Sequence, residues 1–333
     1  MFGTLRLILA LMVIASHVEV SHEVDLGASA VIIFFLLSGF VMTATVRRYY
    51  AKPKFYGKFL LDRAGRIFPQ YLFWVLMCIL WTYFFDHDWR PIGWNVIAEN
   101  ILMVPAMYGV FDLKPWLTGV RYVSQAWSLS LEWHFYMLIP WLLLIKRARM
   151  VAGIISLFVF TLSTLNIISP YIYSYHLLLG VFFIFLFGSV LYDELQKGVS
   201  DKSQLFLPYV YLLLLGIVAN STKTLHPIYT AEVYLGIICG VPLVMWLARL
   251  PAHPVDDWLG NFSYGIFLCH NLVLAVIYHF NFLHDRWVIF ATASGISMVL
   301  SGITYYCVER PLIAWRHKLR GKTSRASKCD HIL

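Results

Sequence analysis

Apolar residues in this chain run in long stretches separated by short polar or basic breaks. The stretches cover 2–19, 26–46, 68–85, 126–146, 151–168, 175–192, 205–220, 229–248, 260–279 and 287–308. Each approaches the roughly 20 residues that an α-helix needs to cross a hydrocarbon core. The pattern predicts an all-α polytopic transmembrane bundle of about ten helices. An even number of spans puts both termini on the same side. The first stretch could be read as a signal peptide, but Ala15-Ser16-His17 is a poor small-residue cleavage site and a second span follows at once. A retained first helix is expected.

The basic residues assign the sides. Arg47, Arg48, Lys52, Lys54, Lys58, Arg63, Arg66, Lys146, Arg147, Arg149, Lys197, Lys202, Arg249 and the run from Arg310 to Lys328 all fall on one set of flanks. Only Arg90, Lys114, Arg121, Lys223 and Arg286 fall on the other. The positive-inside rule therefore places both termini in the cytoplasm. Composition agrees: 60% of the residues are hydrophobic and 13% charged, with a mean hydropathy of +0.70, against about 25% charged in ordinary soluble domains. The net charge of +8 follows from topology and anionic lipid headgroups, and calls for no nucleic acid. Cys78, Cys239, Cys269 and Cys307 lie in apolar stretches and Cys329 in the basic tail, with no CxxC pair and no Cys/His cluster for a metal. Residues 1–312 are expected to form one transmembrane domain, and 313–333 a short basic cytoplasmic tail.

Polar residues inside apolar stretches are costly in lipid and so are candidates for function. Arg6 and His17 are eleven residues apart, which on a helix returns to within about 20° of the same face and rises roughly 16 Å. A pantetheine arm has a similar length, so this face suits a coenzyme held by its phosphates at the inner side with its thioester near the imidazole. Taken alone, Arg6 reads first as a snorkelling residue that orients the helix, and His17 equally as a structural histidine. In Asp62-Arg63-Ala64-Gly65-Arg66, the two arginines share a helix face and suit phosphate groups; membrane anchoring explains them as well. Glu132, in Trp127-Ser128-Leu129-Ser130-Leu131-Glu132, is expected at a depth comparable to His17, where a carboxylate could support a general-base imidazole. Ser38-Gly39 places small residues deep in the second span, by default for packing. The outer loop 86–125 holds Trp89, Trp94, Tyr108, Trp116 and Tyr122, whose rings could stack on sugars or lie on the bilayer. His270, Ser263-Tyr264 and Glu309-Arg310-Pro311 read as structural, the last as a charged helix end with a proline stop.

These segments, taken in order, resemble the membrane-bound acyltransferase 3 family. Arg6-x10-His17, Phe34-Phe35-Leu36-Leu37-Ser38-Gly39-Phe40, Arg63-x-x-Arg66-Ile67-Phe68-Pro69, Trp127-Ser128-Leu129-Ser130-Leu131-Glu132, Ser263 to His270 and Val308-Glu309-Arg310-Pro311 match its motifs over nearly all of the chain. Members O-acylate lipopolysaccharide, peptidoglycan, exopolysaccharide and lipo-oligosaccharide signals. The resemblance implies an enzyme of the bacterial cytoplasmic (inner) membrane that moves an acyl group, acetyl by family frequency, from acetyl-CoA to a hydroxyl of a cell-surface carbohydrate such as O-antigen, as lipid-linked units or finished polymer. It implies His17 and Glu132 as catalytic residues, and Arg6, Arg63, Arg66 and Ser38 on the coenzyme side, without a metal. Some members carry a fused SGNH hydrolase-like domain, and this chain resembles the stand-alone branch. A transporter or flippase of a lipid-linked glycan would also bury His, Arg and Glu, and an acyl-CoA sensor would keep the arginines but tolerate loss of His17.

Overall fold

Each predicted span forms a helix in the computed structural model. It describes residues 2–20, 25–85, 93–103, 121–197, 205–222, 229–251, 253–281 and 283–329. The ten span helices are α1 (Gly3–His17), α2 (Leu26–Tyr49), α3 (Tyr56–Phe85), α5 (Ala126–Leu144), α6 (Lys146–Thr164), α7 (Leu178–Lys197), α8 (Phe206–Ser221), α9 (Thr230–Leu247), α10 (Pro254–Phe280) and α11 (Arg286–Thr304). A short outer helix, α4 (Trp94–Leu102), and a C-terminal helix, α12 (Arg310–Cys329), complete the described α-helices. Seven helical segments are long and apolar enough to cross a membrane, and α1 and α8 are shorter apolar helices. α5 is outside both groups. Its outer half carries Ser128, Ser130, Glu132 and His134, of which Ser128 and Glu132 belong to the site described below.

α2 is the central helix, with α1, α5, α7 and α9 packed around it. Water does not drive helices together inside a bilayer, so close backbone approach and interhelical hydrogen bonds must do so. Gly39 and Gly188 make the α2–α7 crossing close: a Cβ at Gly39 would sit 1.8 Å from the Phe185 carbonyl oxygen, and one at Gly188 would sit 1.9 Å from that of Leu36. Phe185 stacks at 4.6 Å on Phe35 and on Phe135, pairs worth about 0.5–1.5 kcal/mol each beyond area burial. Nearby, Thr43 donates to Ser189 at 2.8 Å.

Contacts between helix ends sort into two levels. At one end Asp193 of α7 accepts from Arg47 of α2 at 2.7 Å and from Arg149 of α6 at 2.8 Å. Asp256, in the first turn of α10, accepts from the free N–H groups of Gly3 and Thr4 at 2.9 Å each and from the Thr4 hydroxyl at 2.8 Å, capping α1 where its positive dipole end emerges. At the other end, Ser16 donates to Asp25, the Asp25 N–H approaches Glu232 at 3.5 Å, and Arg286 donates to the Glu19 carbonyl at 2.9 Å. The first level carries the cationic flanks, so it is the face the sequence reading assigns to the cytoplasm. α12 packs there too, against α3 and α2.

Two boundaries differ from the sequence pattern. α3 begins at Tyr56 rather than near 68, because Asp62 and Arg63 are buried as a mutually compensating pair and need not end the helix. The expected proline stop at Pro311 also fails. The chain stays helical instead: a wide π-helical turn, Tyr305–Glu309, joins α11 to α12 with helical backbone at both its ends, and Pro311 lies just beyond that turn, a place where helices commonly take up a proline distortion. Of the outer loop, Trp89, Tyr108 and Trp116 lie outside the described residues. Tyr122 is described, and its N–H donates to Asn100 of α4 at 3.1 Å.

Candidate active site

A cavity of ≈ 720 Å³ opens among α1, α2, α3, α5, α10 and α12, within the range of sites that take a whole small ligand. Five of the six residues singled out from the sequence line it: Arg6, Ser38, Arg63, Arg66 and Glu132. They come from four helices distant in sequence. The inner part of the cavity is cationic. Arg63 turns toward Asp62, and its Nη1 lies 3.6 Å from the Met42 sulfur. Arg66 pairs with Glu309 and stands 5.4 Å from the Tyr264 ring centroid. Arg6 has no side-chain hydrogen bond or ion pair among the described residues, and Glu132 supplies the largest attractive field on it.

Farther in from the cationic end, Glu132 accepts from the Ser38 hydroxyl at 2.7 Å and from the Tyr136 hydroxyl at 2.5 Å. Ser38 is therefore first a donor to Glu132, in addition to lining the cavity. The small Ser-Gly pair serves two purposes: Gly39 lets α7 approach, while Ser38 faces the cavity.

His17 is not among the residues that line the cavity. It ends α1 at the outer level, exposed, with Nδ1 2.8 Å from the Val13 carbonyl oxygen. That contact assigns the Nδ1 proton to the backbone and leaves Nε2 with a lone pair. The expectation that Glu132 shares the depth of His17 does not hold. Ser16 packs on Gly27 of α2, whereas Glu132 bonds Ser38, eleven residues further along that helix, or about 16 Å deeper. No hydrogen bond joins Glu132 to His17 among the described residues. Between them lie aromatic side chains: Phe34 and Phe267 line the outer part of the cavity, with ring centroids 6.2 Å apart. Phe267 is 6.0 Å from His270, and His270 is 5.0 Å from His17, edge to face. His270 is fully buried, with Nδ1 3.2 Å from the Ile266 carbonyl oxygen and no hydrogen-bond partner for Nε2 among the described residues.

Sequence reasoning missed Arg316, His317 and Arg320 of α12 and Tyr136 of α5, which face the cavity, and read as structural Tyr264 and Glu309, which face it too. Asp62 stands behind the arginines, fully buried. The spacing of Arg316 and Arg320, four residues apart beside Trp315, was a usable signal for a shared face; their pairing with a residue some 250 positions earlier was not. Among the described residues, no group of His, Cys, Asp and Glu side chains is arranged to hold a metal.

The chain is similar to known acyltransferases. A family model described as an acyltransferase domain matches residues 2–306. An uncharacterized protein of Aquifex aeolicus (strain VF5) is 36% identical over 157 residues, 45% of this chain and 69% of its own. Acyltransferase MdmB of Streptomyces mycarofaciens is 28% identical over 133 residues, covering 38% of this chain and 31% of its own. Nodulation protein 10 of Rhizobium leguminosarum bv. viciae is 24% identical over 334 residues, covering 88% and 84%. No solved structure matches. With the family model spanning almost its whole length, the chain belongs to the acyltransferase 3 family and is a multi-pass membrane acyltransferase.

Proposed function

We propose that this acyltransferase takes an acetyl group from acetyl-CoA at the inner cavity and delivers it to a carbohydrate hydroxyl at the outer end of the bundle. The observation that carries the proposal is the cavity itself: Arg6, Arg63 and Arg66, from two helices, converge on one space of ≈ 720 Å³. Guanidinium forks fit phosphate oxygens, and a pantetheine arm, at about the rise from Arg6 to His17, spans the distance to the outer level. The arm passes Ser38 and Glu132 and displaces Phe34 and Phe267 to bring the thioester to His17.

There Nε2 of His17 takes the proton of the acceptor hydroxyl, and the oxygen attacks the thioester carbonyl. The C–S bond breaks, the imidazolium returns its proton to the departing thiolate, and an ester and free coenzyme A result. Transfer through a transient acyl-imidazole uses the same groups. Glu132, held by Ser38 and Tyr136, faces Arg6 and fixes the charge of the passage rather than bonding the imidazole. An O-antigen or related surface polysaccharide of the bacterial inner-membrane assembly route is the acceptor favoured by the family resemblance.

The test is thiol release from acetyl-CoA by purified protein with a panel of bacterial glycans, wild type beside His17→Ala and Arg63→Ala. Glycan-dependent release lost in both variants is expected. Full activity of folded His17→Ala would refute the scheme.

A further inference from the structure

The residues around Asp62 are more cationic than a structural ion pair requires. Asp62 is fully buried and takes three guanidiniums. Oδ1 accepts from Arg316 Nε at 3.0 Å. Oδ2 accepts from Arg320 Nε at 3.2 Å and Nη2 at 3.1 Å, and from Arg63. One carboxylate thus orients three guanidiniums. They are directed to one side. Asp62 does not line the cavity, whereas Arg63, Arg316 and Arg320 all do, so the carboxylate holds them from behind and presents them inward. Arg316 is buried and meets Asp62 through Nε alone, and among the described residues no acceptor takes its Nη groups. α12 is docked firmly enough to hold this geometry: the Trp315 ring covers Gly65, where a Cβ would come within 2.8 Å of it, and Arg320 stands 5.6 Å from the Tyr49 ring centroid.

We infer that α12 forms the phosphate-side wall of the donor site, with Arg316 and Arg320, braced by Asp62, gripping a phosphate group of the donor at the inner mouth of the cavity. This deepens the donor reading above and rests on it. An anionic lipid headgroup carries the same phosphate chemistry, but these guanidiniums face a cavity shared with Arg6, Ser38 and Glu132 rather than the lipid-facing side of the bundle.

The experiment uses the full chain in nanodiscs of phosphatidylcholine, with and without phosphatidylglycerol, titrated calorimetrically with coenzyme A and with pantetheine, which lacks phosphate. Arg320→Gln is expected to raise the Kd for coenzyme A about tenfold, the scale of one charge-assisted hydrogen bond, and to leave pantetheine binding unchanged. Arg320→Lys, which keeps the charge but not the fork, should fall between. Unchanged coenzyme A affinity in folded Arg320→Gln, or equal loss of both ligands, would overturn the inference. So would an effect confined to stabilisation by phosphatidylglycerol, which would assign the arginines to a headgroup. Failure of the wild type to bind coenzyme A in either lipid would instead remove the donor reading, and this inference with it.

Discussion

Asp62→Asn changes one atom in the bundle and should release α12. In the native protein Asp62 Oδ1 and Oδ2 both accept from guanidiniums, at 3.0–3.2 Å for Arg316 and Arg320. An asparagine keeps one of those oxygens and replaces the other with an NH₂ group, which places donor against donor. The carboxylate charge also goes, leaving Arg63, Arg316 and Arg320 facing each other. Each charge-assisted bond is worth about 1.5–3 kcal/mol, and breaking a buried ion pair on one side typically costs about 3–5 kcal/mol. At least two bonds are lost, so a destabilisation of about 3–5 kcal/mol is expected, concentrated where α12 meets α3. The assay is thermal melting in detergent combined with limited trypsin digestion, since α12 carries Lys318 and Arg320. The variant should melt several degrees lower, with α12 cleaved well before the rest of the bundle. Wild-type melting and equal protection of α12 would refute the account of Asp62 as the brace.

Three other outcomes follow from the same geometry. Gly188→Ala should abolish the monodisperse folded peak in size-exclusion chromatography, because the new Cβ would meet the Leu36 carbonyl at 1.9 Å, whereas Gly153→Ala should be tolerated, its Cβ meeting only the flexible Leu186 side chain at 3.5 Å. Tyr136→Phe removes the 2.5 Å bond to Glu132 and should lower the rate of thiol release about tenfold or more without changing the melting temperature by more than a few degrees, consistent with one strong hydrogen bond. Asp256→Ala uncaps α1 and should cost about 1–2 kcal/mol, read as a lower melting temperature; no change would show that the three bonds to Gly3 and Thr4 contribute nothing.

The helices were legible because lipid imposes a simple rule: a span must be apolar for long enough, whatever its neighbours. The exceptions are informative. The beginning of α3 was hidden since Asp62 and Arg63 look like a helix exit until Arg316 and Arg320 are seen to close around them. Pro311 looked like a stop since the π turn before it leaves no mark in the hydrophobic pattern. At the site, Arg6 and Glu132 were identifiable by the cost of charge in lipid, and Arg63 and Arg66 by their shared helix face and the family resemblance; the structure gathers all four with Ser38. Position along the axis was harder to read. Counting turns from the start of α5 put Glu132 near the outer boundary, but its partners Ser38 and Tyr136 lie well inside. Glu309 passed for a helix end, because its partner Arg66 belongs to another helix and no local pattern links the two.

The central claim is that donor and acceptor approach from opposite ends of the bundle, through the cavity of Arg6, Arg63 and Arg66 to His17. Sealed proteoliposomes with a single protein orientation test it most directly, with radiolabelled acetyl-CoA and an acceptor glycan placed in turn on either side. Labelled glycan should form only when the donor is on the side of α12 and the acceptor is on the side of His17. Equal labelling with both substrates confined to the same side, or labelling with their positions reversed, would contradict the account.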